Sequence, residues 1–459
     1  MGAVRMSRLR FPTTATDAED RFTGSSYHGD SALDRGDADR YLWGTSRLQL
    51  PHDLYDTLLT VWRSSTARRA EQGTDRGERR VRPGSALSNE ELHSVSGNVR
   101  ELSRGLTRER ALAGERYLSD PGLLGAYLLH FWPISYGQAL LCLAMLRRAN
   151  GTPATATGST LGSVLDLGAG PGPVSIALLD AGAANVIACD RSAAALALAR
   201  RIAGERGQQL ATRQWDAVKS TGMPRGPFDL IAMGHTLNEL WPGHQDRIEL
   251  RIGLVKRLGE ELGPRGRLLV MEPALMGTAQ EAIRVRDGLV KAGFFVEMPC
   301  IWQQACPALP DGTCHGEFDW KPPAEMVRLA HAARIGRETL KMAWFVLRKR
   351  EEEPAAPEPE PAHERALTAD GATPDGGLYR VVSEPLLSKS GRIRYLVCGP
   401  MGRFALSASR DSRAVGIRNF FSLARGDGIT FAGARQRETG WGLDDDSTID
   451  VVEPAPKLS

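Results

Sequence analysis

Net charge is almost missing from this sequence: 58 Lys and Arg against 55 Asp and Glu leave +3 over 459 residues. That is too small a surplus to argue for a nucleic-acid partner by itself. An apolar leader is missing too. The chain opens MGAVRMSRLRFPTT and then meets Asp17, Glu19 and Asp20, which fits neither a secretory signal nor a transit peptide, and the expectation is a cytoplasmic protein. No internal repeat is found. The longest uncharged run, Leu123 to Leu146, raises a membrane question, but Pro133, Ser135, Gly137 and Gln138 interrupt it. Two buried helices joined at Pro133 are expected there, and no membrane partner.

The composition that is present, 42% hydrophobic and 25% charged, is that of an ordinary globular protein. Its length allows two or three domains. Residues 1–40 are polar, without helical periodicity, and read as a disordered tail. Residues 41–151 read as helical, with Leu54, Leu58, Leu59 and Trp62 at helical spacing. A break falls at Gly73 to Gly84, inside a stretch from Arg63 to Arg82 that holds seven arginines. Such a stretch suits phosphate backbone or, equally, a solvated loop.

From residue 152 to 350 the pattern changes to short apolar strands alternating with helices, the mark of a parallel sheet with crossover helices. Strands are predicted at Ser163–Leu167, Asn185–Cys189, Leu210–Trp215, Phe228–Met233, Arg267–Met271, Phe294–Val296 and Met342–Leu347. Seven strands in this order predict an α/β fold, the class I methyltransferase sheet, with its last strand antiparallel. Residues 351–377, rich in Glu, Pro and Ala, read as an acidic linker. Residues 378–459 read as a small β-rich module.

The chemistry begins at Val164-Leu165-Asp166-Leu167-Gly168-Ala169-Gly170-Pro171-Gly172. Glycines stand where the first strand turns into a helix, so the backbone can take positive φ and approach a ligand closely. Dinucleotide binders use similar turns. Asp166 just before the glycines, Asp190 ending the second strand and Asp216 after the third favour S-adenosylmethionine (SAM). Asp190 would meet the ribose hydroxyls and Asp216 the adenine edge. Candidate cofactor residues are therefore Asp166, Gly168, Gly170, Gly172, Asp190 and Asp216. Methyl transfer from a sulfonium depends largely on alignment.

After the fourth strand the chain reads Gly234-His235-Thr236-Leu237-Asn238-Glu239-Leu240. The Asn/Asp-Pro-Pro-aromatic tetrad of amine-methylating enzymes is absent, and so is a cysteine for base C5 methylation. His235 and Glu239 suit a base and its orienter, or a cap and a pocket wall. No catalytic residue is assigned.

Six cysteines occur. Cys142 and Cys189 lie in apolar segments and read as core thiols. Cys300, Cys306 and Cys314 lie in a loop, 299–315, kept irregular by Pro299, Pro307, Pro310 and Gly312; Cys398 is distant. Four thiolates suit a tetrahedral zinc or an iron–sulfur cluster. The paired two-to-four-residue spacings of structural zinc are absent, and three loop cysteines plus a distant one suit a [4Fe–4S] cluster better. Unrelated thiols are the third reading. His315 beside Cys314 reads as a neighbour rather than a ligand.

Together these residues resemble the mitochondrial small-ribosomal-subunit methyltransferase-like family, which also has bacterial members. The resemblance spans about Leu50 to Gly442. It rests on Arg116-Tyr117-Leu118, on Ala126-Tyr127-Leu128 through Pro133-Ile134-Ser135-Tyr136, on Val164 to Gly172, on Asn238-Glu239-Leu240 and on Glu272-Pro273. Pro299-Cys300, Cys306-Pro307, Cys314-His315, Val397-Cys398 with Gly402, and Ala424-Arg425-Gly426-Asp427 complete it. Trp302 and Gln303 depart from the family's histidine after the first cysteine, and Gly312-Thr313 from its Asp-Trp before the third. The resemblance implies SAM, a [4Fe–4S] cluster on Cys300, Cys306, Cys314 and Cys398, and work on the small ribosomal subunit and its rRNA. A monomer is expected. A non-catalytic assembly factor and a small-molecule methyltransferase are the alternatives.

Overall fold

The computed structural model describes residues 48–72, 86–107, 120–149, 161–219, 221–310, 312–336, 339–350, 374–388 and 391–455. The expected N-terminal tail, the break at Gly73–Gly84 and most of the Glu/Pro linker lie outside them. All described residues belong to one compact unit, Ser46–Ser459.

The chain enters through β1 (Leu48–Gln49), α1 (His52–Gln72) and α2 (Asn89–Thr107). Leu54, Leu58, Leu59 and Trp62 are all buried, as their spacing predicts. The region is not wholly helical, however, because β1 joins the main sheet. The run expected as two helices joined at Pro133 is also different. It is one continuous helical stretch: α3 (Pro121–Ala126), a π-helical turn (Tyr127–Phe131) and α4 (Trp132–Ala149). Asp120 starts it by accepting the Gly122 and Leu123 N–H groups, with Pro121 in the first turn. The proline that should have broken it is accommodated by a distant side chain. Pro133 has no N–H for the Leu129 carbonyl, and the Tyr55 hydroxyl of α1 donates to that carbonyl instead, at 3.1 Å. The stretch Pro121–Arg147 is long and apolar enough to cross a membrane, yet 72% of its most apolar window is buried inside the protein.

There follow β2 (Ser163–Leu167), α5 (Pro173–Asp180), β3 (Asn185–Asp190), α6 (Ala193–Glu205), β4 (Ala211–Gln214), β5 (Phe228–Gly234), α7 (Arg247–Glu260), β6 (Leu262–Pro273) and α8 (Met276–Lys291). Then come β7 (Phe294–Met298), β8 (Gly316–Lys321), α9 (Ala324–Ala332) and β9 (Thr339–Lys349). The nine strands order as β1-β8-β9-β6-β5-β2-β3-β4, with β7 also on β9. Strands β6, β5, β2, β3 and β4 are parallel, and β9 runs antiparallel to β6. This is the class I methyltransferase arrangement. Seven strands lie where the apolar runs predict them. Strands β1 and β8 were not expected, because each buries too little of itself: in β8 only Trp320 is buried.

Both β7 and β8 pair antiparallel with the same strand, β9, one along each half of it. The cysteine loop is thus an excursion between two segments that share one sheet edge. After it, β10 (Tyr379–Val381), β11 (Leu386–Leu387), β12 (Arg392–Gly399), β13 (Gly402–Ser409), β14 (Gly428–Ala432), β15 (Arg435–Arg437), β16 (Gly440–Leu443) and β17 (Thr448–Glu453) form a separate eight-stranded sheet. It closes over its own core of Tyr379, Tyr395, Phe420 and Phe431. The module expected at residues 378–459 is thus β-rich, as its sequence reads, and holds eight strands among the described residues.

Tyr55→Phe should leave the Leu129 carbonyl buried without a donor and lower unfolding stability by about 1–3 kcal/mol. Urea denaturation measures this, and an unchanged midpoint would show that the π-turn is satisfied some other way.

Candidate functional site

In an open parallel sheet, ligands sit beyond the carboxyl ends of the strands where strand order reverses. Here the reversal lies between β2 and β5, and the glycine turn follows β2 directly. Gly168, Gly170 and Gly172 all hold positive φ, at 69°, 52° and 80°. Their surroundings differ. A Cβ on Gly168 would strike Thr236 Oγ1, and one on Gly172 would meet the Ala199 Cβ of α6 at 2.9 Å. A Cβ on Gly170 would meet nothing within 4 Å. Two glycines are thus demanded by packing, whereas the third faces open space, where a cofactor fits.

The three acids are all placed around this turn, with different duties. Asp166 is fully buried, and Ser175 Oγ donates to its Oδ2 at 2.5 Å. Its Oδ1 has no hydrogen-bond partner among the described residues. Burial pushes its carboxyl up to about 7, against the lowering effect of Ser175. Asp190 ties the turn to β3: its Oδ2 accepts from the Gly170 N–H at 2.9 Å, its Oδ1 from the Ser192 N–H at 2.8 Å. Asp216 follows Trp215 after β4, and its Oδ1 accepts from the Val218 N–H at 3.1 Å. The open face at Gly170 and the orphan oxygen of Asp166 fit an amino-acid sulfonium cofactor, which would supply the methyl group.

The loop after β5 forms the opposite side of the crevice. Thr236 Oγ1 donates to the Leu167 carbonyl at 2.9 Å, locking this loop to the end of β2. Glu272, at the end of β6, is buried and accepts from the Leu237 N–H at 2.8 Å and from Asn238 Nδ2 at 2.6 Å. Burial, outweighing those hydrogen bonds, pushes Glu272 up to about 8. His235 takes positive φ, 58°, unusual for a residue with a Cβ. Gln138 Oε1 of α4 lies 2.8 Å from its ring Nε2, and Glu239 is exposed. Trp132 of the same helix donates through Nε1 to the Pro171 carbonyl of the glycine turn, at 3.0 Å. The sequence reading missed both α4 residues. Gln138 left a signal, as a lone amide in an apolar run; Trp132 left none.

The cysteine loop and the β-rich module meet. Arg403 donates to the Thr313 carbonyl at 3.3 Å, and Arg425 to the His315 carbonyl at 3.2 Å, with its NH1 also 3.2 Å from His315 Nε2. From α8, Arg286 reaches Cys300 Sγ at 3.7 Å, and Asp287 Oδ2 accepts from the Cys306 N–H at 2.9 Å. The thiols of Cys300, Cys306, Cys314 and Cys398 stand close enough to act on one another electrostatically. Burial first, then the Cys306 and Cys300 charges, push Cys314 up to about 12. Burial, then Cys300, Cys314 and Cys306, push Cys398 up as well. Among the described residues no three His, Cys, Asp or Glu side chains stand so that they could hold a metal ion. The donor set in kind, four thiols with arginines around them, fits a thiolate-ligated centre. Cys142 and Cys189 are fully buried core thiols. Glu317 is lowered to about 2, first by the His315 ring 3.9 Å from its Oε2 and then by Lys341 and Thr339, which contact its Oε1 at 2.9 and 2.8 Å.

Residues 164–251 match the family profile described as a methyltransferase domain, less than half of the chain. Among curated proteins none matches the chain. Among solved structures it is similar to a ribosomal protein L11 methylase from Lactobacillus delbrueckii subsp. bulgaricus, at 18% identity and TM-score 0.27, covering 45% of this chain and 77% of that one. A putative RNA methyltransferase from Pyrococcus horikoshii gives 18% identity and TM-score 0.30, covering 46% and 85%. A SAM-dependent methyltransferase from Leishmania major gives 16% and 0.32, covering 55% and 83%. At such overlaps none of them carries an argument about substrate. The sheet order, the glycine turn and the domain match agree on a SAM-dependent methyltransferase domain.

Two predictions follow from the turn. Gly170→Arg should fill the open space and abolish SAM binding in calorimetry while the fold persists; undiminished affinity would place the cofactor elsewhere. Asp166 and Glu272 hold protons in the folded chain that the unfolded chain releases near pH 4. The ligand-free protein should therefore lose stability as pH rises from about 4 through about 8, and Asp166→Asn should remove the part of that slope between about 4 and about 7. An identical slope in the variant would show that the Asp166 carboxyl is already ionised in the folded state.

Proposed function

We propose that this chain is a SAM-dependent methyltransferase of the small ribosomal subunit, acting on its rRNA during assembly, and that Cys300, Cys306, Cys314 and Cys398 carry a [4Fe–4S] cluster. The observation that carries the reading is the meeting of the β-rich module with the 299–315 loop: Arg403, the β13 residue paired with Cys398, donates to the Thr313 carbonyl, and Arg425 to the His315 carbonyl. It joins two of the segments on which the family resemblance rests. A thiolate-bound cluster would cross-link the loop to the module, so its binding free energy would also be folding free energy. Zinc is the alternative occupant.

On this reading the Asp190 carboxylate, which accepts from the Gly170 and Ser192 N–H groups, also meets the ribose hydroxyls of the cofactor. Asp216 stands at the adenine end, and Gly168, Gly170 and Gly172 shape the cradle. The chain is proposed to be cytoplasmic and monomeric. The missing amine-acceptor tetrad favours a second reading, an assembly factor that keeps the pocket as a scaffold. A small-molecule methyltransferase is the third.

Anaerobic purification should yield a brown protein containing iron and sulfide, and Cys306→Ser should bleach it; zinc in their place would overturn the cluster. Incubation with labelled SAM and immature small subunits should label rRNA. No transfer under any condition would favour the scaffold. Sedimentation apart from small subunits at low salt would favour the small-molecule enzyme.

A further inference from the structure

The helical region preceding the methyltransferase domain lies outside the matched residues 164–251, yet two side chains of α4 reach the cofactor crevice. Trp132 holds the Pro171 carbonyl of the glycine turn. Gln138, 2% exposed, spans two partners on different strands' ends: its Nε2 donates to the Lys341 carbonyl of β9 at 2.9 Å, and its Oε1 lies 2.8 Å from His235 Nε2.

The chemistry of those partners decides the protonation of the ring. A backbone carbonyl can only accept, so the Gln138 amide must present its NH2 to Lys341 and its oxygen to His235. An amide oxygen also only accepts. His235 Nε2 must therefore carry a hydrogen, which leaves the lone pair of the neutral ring on Nδ1.

We infer that Gln138 is a positioning residue of the methyltransferase site, which holds His235 as its Nε2–H tautomer and so braces the loop after β5 against the cofactor turn. Three further features make that loop sensitive to its brace. His235 sits at positive φ, its backbone N–H is spent on the Met271 carbonyl at 2.7 Å, and the next residue, Thr236, fills the space that Gly168 leaves free. A slackened His235 would let Thr236 shift against the turn that cradles the cofactor. The helical region is then part of the site, not an appendage. This inference rests on the SAM reading for its effect on affinity, but not for the tautomer.

The test separates the two. Two-bond proton–nitrogen NMR of nitrogen-labelled protein at pH 8.5 reads the tautomer directly, and His235→Asn, a residue that tolerates positive φ, identifies the signal by its disappearance. Nε2–H in the wild type supports the inference; Nδ1–H, or a doubly protonated ring, overturns it. Gln138→Leu should mix the tautomers and weaken SAM binding about tenfold, the size of one hydrogen bond. Equal tautomer and affinity in Gln138→Leu would overturn the positioning role. If wild type shows Nε2–H but binds no SAM, the SAM reading fails while the tautomer assignment stands.

Discussion

Space at one turn governs this molecule. Between β2 and α5 the chain must reverse within a few residues while lying against both α6 and the loop after β5. Ala199 and Thr236 occupy the volumes that side chains on Gly172 and Gly168 would need. Asp190 then pins the turn from β3 through the Gly170 N–H, and Trp132 pins it from the helical region. Only Gly170 is left facing open space. The pocket is what remains once everything around it has been packed, and each neighbour that packs it belongs to a different segment of the chain.

A second organising constraint is the shared edge of β9. Because β7 and β8 both pair with that strand, the seventeen residues 299–315 between them must leave the sheet and return to it. They cannot extend the ladder. The loop is met from one side by α8, through Arg286 and Asp287, and from the other by the β-rich module, through Arg403 and Arg425. Positive guanidinium groups from three elements surround four thiols. Arg403 draws Cys314 and Cys398 down, as Arg425 does Cys314, but burial and the neighbouring thiols outweigh the guanidinium groups and keep both raised.

The two regions are both anchored on α8 and α7. Glu281 of α8 pairs with Arg247 and Arg251 of α7, at 2.8 and 2.7 Å. Arg251, buried itself, donates to the Asn238 and Leu240 carbonyls of the loop after β5. Asp287, on the same helix as Glu281, holds Cys306. Helix α8 thus holds the cysteine loop through Asp287 and, through Glu281 and Arg251, the loop after β5.

By itself the sequence determined what depends on local pattern. The apolar runs at Ser163–Leu167, Asn185–Cys189 and Phe228–Met233 could only be buried parallel strands, and the glycine triplet with Asp166 before it marked the turn. The cysteines could be sorted into two core thiols and four others from their neighbours alone. Tertiary structure decided what depends on groups far apart in the chain. It made one helix of the Leu123–Leu146 run, because Tyr55, 74 residues before Leu129, supplies the donor that Pro133 lacks. It set Gln138 of α4 against the His235 ring, and drew β1 and β8 into the sheet although little of either strand is buried. A residue's own pattern predicts whether it is buried; which partner waits for it there is set by the fold, since hydrogen bonds and packing act across space while sequence records only order.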